Sequence, residues 1–129
     1  MTRLVLCLAV LVCAAMAVWP AEAHHSVLGF DTTRGVTLRG VVHAWVWNNP
    51  HTHITVDVSD GPERGQRWIV ESESPIVLKR LGWSPTSLRA GDRVVVIGAA
   101  ASDGRRLLRC QSVMPPGGER LACYPAVVQ

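Results

Sequence analysis

Five histidines carry most of the chemistry open to this chain: His24, His25, His43, His51 and His53. His51 and His53 form an H-x-H. In a strand, residues i and i+2 share a face, so both imidazoles project together. Imidazole nitrogens suit copper, zinc and nickel, and planar nitrogen sets favour Cu(II). His24 and His25 follow Ala21-Glu22-Ala23, a small-x-small pattern that a signal peptidase accepts. Cleavage after Ala23 makes His24 the new N-terminus. Its free amine and imidazole then chelate one ion through two nitrogens, and His25 adds a third donor. The expected metal set is His24, His51 and His53, with His25 accessory and copper preferred over zinc or nickel. The plainer reading is a polar chain start beside a solvated strand edge.

A register follows from the turn at Asn48-Asn49-Pro50. Pairing Trp47 with His53 sets Trp45 opposite Thr55 and His43 opposite Asp57. His43, Trp45, Trp47, His53, Thr55 and Asp57 then share an outer face. Val42, Ala44, Val46, Ile54, Val56 and Val58 form the core face. Asp57 would orient the His43 ring behind the ligands. A slip of one residue inverts this assignment. The competing function is an interaction module that grips an envelope polymer, peptide or protein through Trp45, Trp47 and their polar neighbours.

Other chemistry is thinner. Glu71 and Glu73 flank Ser72 on one strand face, but nothing marks a substrate pocket around them, so a solvated edge is expected. No phosphate loop, dinucleotide fingerprint, nucleophile elbow or CxxC occurs. The expectation is a binding protein rather than an enzyme. Arg105, Arg106 and Arg109 make a small basic cluster. A net charge of +3 is too mild for a dedicated nucleic-acid binder.

Before any of this stands an address. Leu4 to Val18 is an apolar run of 15 residues behind Arg3, shorter than the ~20 a membrane helix needs. Residues 1–23 therefore read as a cleavable signal peptide for export to the periplasm, against an uncleaved anchor as the alternative. Cleavage removes 23 residues and leaves 106 of the 129. It also removes Cys7 and Cys13. Cys110 and Cys123 remain, and an isolated pair in an oxidising compartment is most simply a disulfide, with a metal-binding or reactive pair as the alternative.

The histidines must be positioned by a β-rich scaffold. The chain is 48% hydrophobic and 18% charged, which excludes intrinsic disorder. Val36 to Trp47, His53 to Ser59 and Arg67 to Glu71 read as strands. Gly40 suggests a bulge or bend. Ser74 and Pro75 open a helix with Ile76, Val77, Leu78 and Leu81 as its apolar face, and Gly82 ends it. Arg93 to Ala99 and Leu107 to Val113 are two further strands. The order β-β-β-α-β-β predicts a mainly β fold, a five-stranded OB-like barrel with one short helix between strands 3 and 4. A small open meander covered by the helix is the alternative. The expected organisation is a leader at 1–23, an N-terminal segment at 24–35, the barrel at 36–114 and a loose tail at 115–129.

These pieces resemble a family of small exported bacterial proteins classed as a domain of unknown function. The resemblance rests on His24-His25-Ser26, Phe30-Asp31, Trp47-Asn48-Asn49-Pro50-His51 and Trp68-Ile69-Val70-Glu71. It continues through Ser74-Pro75, Gly82-Trp83 and Leu88-Arg89-Ala90-Gly91-Asp92. It spans residues 24 to 121 and implies a periplasmic, single-domain, OB-like protein without an assigned activity. The chain departs from the pattern at its tail, where Cys110, Cys123 and Pro115-Pro116-Gly117-Gly118 stand, so any disulfide is particular to this chain.

Overall fold

The computed structural model describes residues 29–125. Both His24 and His25, the expected signal peptide and its expected cleavage site lie outside them. In chain order the elements are β1 (Phe30–Val46), β2 (His53–Asp60), β3 (Arg67–Glu71), α1 (Pro75–Arg80), β4 (Arg93–Ala101), β5 (Leu107–Met114) and β6 (Leu121–Ala122). The fold is mainly β, with one short helix between the third and fourth strands, as the apolar periodicity predicts.

Five strands close into a ring. Their order is β3-β2-β1-β4-β5, and β5 returns to pair in parallel with β3 through Ile69 and Leu107, Val70 and Leu108, Glu71 and Arg109. β1 makes the ring possible because it serves two neighbours. Gly35 to Val41 pair with β4, and Arg39 to Val46 pair with β2. At the overlap sits Gly40, where the pairing with β2 shifts register. A Cβ there would overlap the carbonyl oxygen of Asp57 and approach Val56 Cγ1 to 2.8 Å. Only glycine lets the two backbones close so tightly.

The interior follows the two-residue period of the strands. Leu38, Val42, Ile54, Val56, Val58, Trp68, Val70, Val94, Val96, Leu108 and Val113 point inward and form one core. α1 closes one end. Its first residue is Pro75, and Ser74 caps it with its backbone carbonyl rather than its hydroxyl. Gly82, at φ 90°, ends it, and the Trp83 amide donates to the Leu78 carbonyl. The expected apolar face is narrower than its composition: Leu78 is fully buried, whereas Ile76 is 62% exposed. Six residues give less than two turns, so one side chain makes the main contact.

Two boundaries differ from expectation. β1 begins at Phe30, because its polar start (residues 31 to 34) hangs on the end of β4, where Phe30 pairs with Ala101. The tail is not wholly loose either. Leu121 and Ala122 add a short sixth strand to β5, and a disulfide joins Cys110 to Cys123 with Cα atoms 5.7 Å apart. Both cysteines are buried in the core. No helix among the described residues is long and apolar enough to cross a membrane.

Candidate functional site

The hairpin register differs by one residue from the expectation. His53 pairs with Val46, Ile54 with Trp45 and Thr55 with Ala44. A second register shift, between Val42 and Ala44, leaves His43 as the extra residue and widens the difference to two residues beyond it, where Val42 pairs with Val56. A bulge of this kind reverses the inward–outward alternation beyond it. Val42 stays in the core, but Trp45 and Trp47 turn toward it and Val46 turns out, 40% exposed. The predicted face of His43, Trp45, Trp47, His53, Thr55 and Asp57 is therefore split. Trp45 stacks within 5.6 Å of Trp83 and 5.4 Å of Trp47, and its indole N–H donates to the Pro85 carbonyl at 3.1 Å. Both tryptophans pack, partly buried, against the core.

The outer face consists of cross-strand rows. Val46, His53, Glu71 and Arg109 form one row over four strands. Ala44, Thr55, Ile69 and Leu107 form the next. Asp57 and Arg67 follow, and the bulged His43 reaches them. Arg67 donates to both Asp57 oxygens, at 2.6 and 3.0 Å, and also reaches His43 Nδ1 at 3.0 Å. His43 Nδ1 is 3.3 Å from Asp57 Oδ2, so the expected His43–Asp57 neighbourhood is present with an arginine bridging it. That hydrogen bonding holds the Asp57 carboxyl below its usual range. His43 Nδ1 thus sits between a guanidinium that only donates and a carboxylate that only accepts, and its tautomer selects the partner.

His51 and His53 lie on one face. Thr52 between them is fully buried, while both histidines are partly exposed. Backbone pairing carries this order ahead of the start of β2: the Thr52 amide donates to the Glu73 carbonyl, and the Ser72 amide donates to the Thr52 carbonyl. His51 Nδ1 lies 3.1 Å from the Ser72 carbonyl oxygen. A carbonyl only accepts, so this ring nitrogen carries the hydrogen. The neutral ring therefore leaves Nε2 with its lone pair available. Glu71 Oε1 is 3.7 Å from His51 Nδ1, and Glu71 is also the register partner of His53. Glu71 thus belongs with the histidines rather than on a plain solvated edge. Among the described residues, no group of three His, Cys, Asp or Glu could hold a metal ion.

Beside Arg109, the register partner of Glu71, lies Tyr124. Burial pushes its hydroxyl up to about 12, with Arg109 opposing and Glu73 and Glu71 reinforcing the shift. The Arg109 guanidinium lies 4.4 Å from the centre of the Tyr124 ring, within cation–π range.

One feature escaped the pattern of histidines. A shallow groove crosses the outer face between β2–β3 and the β4–β5 hairpin, floored by Val46, Thr55, Ile69 and Leu107 and edged by His53, Arg105 and Arg106. It opens into a second hollow bounded by Arg67, Trp68 and Ala101. The signal was available in Arg67 to Glu71. Trp68 and Val70 point inward, so Ile69 between them is an aliphatic side chain that the alternation turns to solvent.

No curated protein and no solved structure matches the chain. A family profile does, over residues 10–108, stopping short of the two bonded cysteines where the resemblance also departs. The chain belongs to that family, described as a family of unknown function, DUF6152.

Proposed function

We propose that the protein is a periplasmic, non-enzymatic binding protein that holds a transition metal, copper by preference, through its processed N-terminus and the His51–His53 pair. The observation that carries this reading is the contact between His51 and the Ser72 carbonyl. Ligating histidines characteristically donate their other ring N–H to a carbonyl or carboxylate, which fixes the ring and presents the free nitrogen. His53 supplies a second nitrogen on the same face, and the Glu71 carboxylate adds negative charge beside both.

These residues make an incomplete set, and His24 completes it, with His25 accessory. Reach supports this. Gly29 accepts a hydrogen bond from the Ser102 amide at the base of the β4–β5 hairpin. That hairpin also carries Arg105 and Arg106, which edge the groove containing His53. The five peptide steps from Gly29 back to His24 span up to roughly 17 Å when extended.

The test is Cu(II) titration of the mature chain beginning at His24, followed by EPR. Nitrogen-rich coordination is expected. An added Met before His24 should abolish the terminal component. His51→Ala and His53→Ala should each weaken binding by at least about tenfold. If a free His24-His25 peptide binds as tightly as the protein, the folded histidines contribute nothing and the reading falls.

A further inference from the structure

We infer that the outer groove is a docking site for an extended acidic peptide segment, one that alternates carboxylate and aliphatic side chains. This goes beyond the metal reading and does not depend on it.

The floor is apolar and open to solvent. Val46 is 40% and Ile69 47% exposed. They occupy adjacent cross-strand rows, with Thr55 and Leu107 completing the surface. Neither aliphatic residue serves the core. Val46 is turned out by the bulge at His43, and Ile69 by the alternation of β3.

The edge is cationic. Arg105 and Arg106 stand on the β4–β5 hairpin, which is tied to the floor because the Ile69 amide donates to the Arg106 carbonyl at 3.0 Å. Arg105 is engaged by Asp103, Nε to Oδ2 at 2.6 Å. Arg106 has no ion pair among the described residues. A guanidinium offers a planar fork matched to a carboxylate. In the adjoining hollow, the buried Trp68 forms part of the wall, and its indole N–H has no acceptor among the described residues.

Cation beside aliphatic floor selects the class of ligand. A polyphosphate would use the arginines and leave Val46 and Ile69 idle. An uncharged sugar chain would use neither well. A peptide strand places alternate side chains on one face, so its aliphatic side chains can settle on the floor while the long side chain of Arg106 reaches over the strand to the carboxylates on its other face.

The experiment uses the mature protein with a chelator present throughout, so that metal cannot bridge protein and ligand. The probe is a fluorescein-labelled, N-acetylated hexapeptide alternating Leu and Glu, read by fluorescence anisotropy. Binding is expected. Arg106→Glu and Ile69→Ser should each weaken it about tenfold, the loss of one charged hydrogen bond or one apolar contact. Arg80→Glu, on α1, should leave it unchanged. A peptide with Lys in place of Glu should bind at least tenfold more weakly. No binding overturns the proposal. So does binding insensitive to Ile69→Ser, which would be charge attraction alone. Tighter binding of inorganic polyphosphate than of the peptide also overturns it. Arg106 and Ile69 are exposed, and circular dichroism of each variant confirms that the fold is retained.

Discussion

Arg67 grips Asp57 with two nitrogens, Nε at 2.6 Å from Oδ1 and Nη2 at 3.0 Å from Oδ2. The two residues pair across β2 and β3, so the backbone register itself brings them together. The bond favours the ionised carboxylate and holds its pKa below the ordinary value. A group depressed in the folded state stabilises above its unfolded pKa. That contribution is lost as pH falls through the folded pKa. Unfolding midpoints in urea should therefore drop on acidification below about pH 4. Arg67→Met should make that drop shallower and return the Asp57 titration, followed by carboxyl carbon NMR, toward the usual carboxylate range. Identical Asp57 titrations in both proteins would exclude this role.

Tyr124 is the only tyrosine in the chain, which makes its ionisation directly visible by near-ultraviolet absorbance. In the folded protein phenolate should form near 12 rather than at the ordinary 10.0. Stability linked to this group is intact below the unfolded value and declines as pH rises from there through the folded value. Denatured protein should titrate normally. A folded-state titration near the ordinary value would show that the ring is solvated.

The Cys110–Cys123 bond closes a loop of 13 residues. Constraining a loop of that size in the unfolded chain stabilises the fold by about 3 kcal/mol. Reduced and oxidised protein should differ by that order in denaturant unfolding. Equal midpoints would mean that the tail docks without the bond.

Gly40→Ala should lower stability by about 1–3 kcal/mol, because the new methyl group meets the Asp57 backbone rather than a movable side chain. Gly35→Ala in the same strand is the control. Nothing lies within 4 Å of a Cβ there, so the change should be near neutral or slightly stabilising. Equal effects of the two substitutions would show that β1 tolerates a wider approach at its bend.

Much of the scaffold was legible because the strands alternate strictly. Ile54, Val56 and Val58 announce the inner face of β2, and all three are buried. Pro75 and Gly82 mark the ends of α1 through local backbone preferences that need no tertiary information. The placement of Trp45, Trp47 and Val46 was not legible. It depends on one extra residue at His43, and no local pattern in a β-branched and aromatic run says where a bulge falls. The groove was hidden for another reason. Its residues come from β1, β2, β3 and β5, and only the parallel pairing of Ile69 with Leu107 gathers them. Glu71 likewise acquires meaning only through its partners His51 and His53. The two-residue β6 is too brief to carry a period at all.

Ring closure has a further consequence. Each of the five main strands already has hydrogen-bonded neighbours on both sides. A chain this rich in β-branched residues would otherwise risk recruiting copies of itself into fibrils along bare backbone. Among the described residues the bare stretches are partial, such as the start of β1 on its β2 side and the outer side of β6, so aggregation should track the rate at which the circle opens more than the amount of greasy sequence it contains.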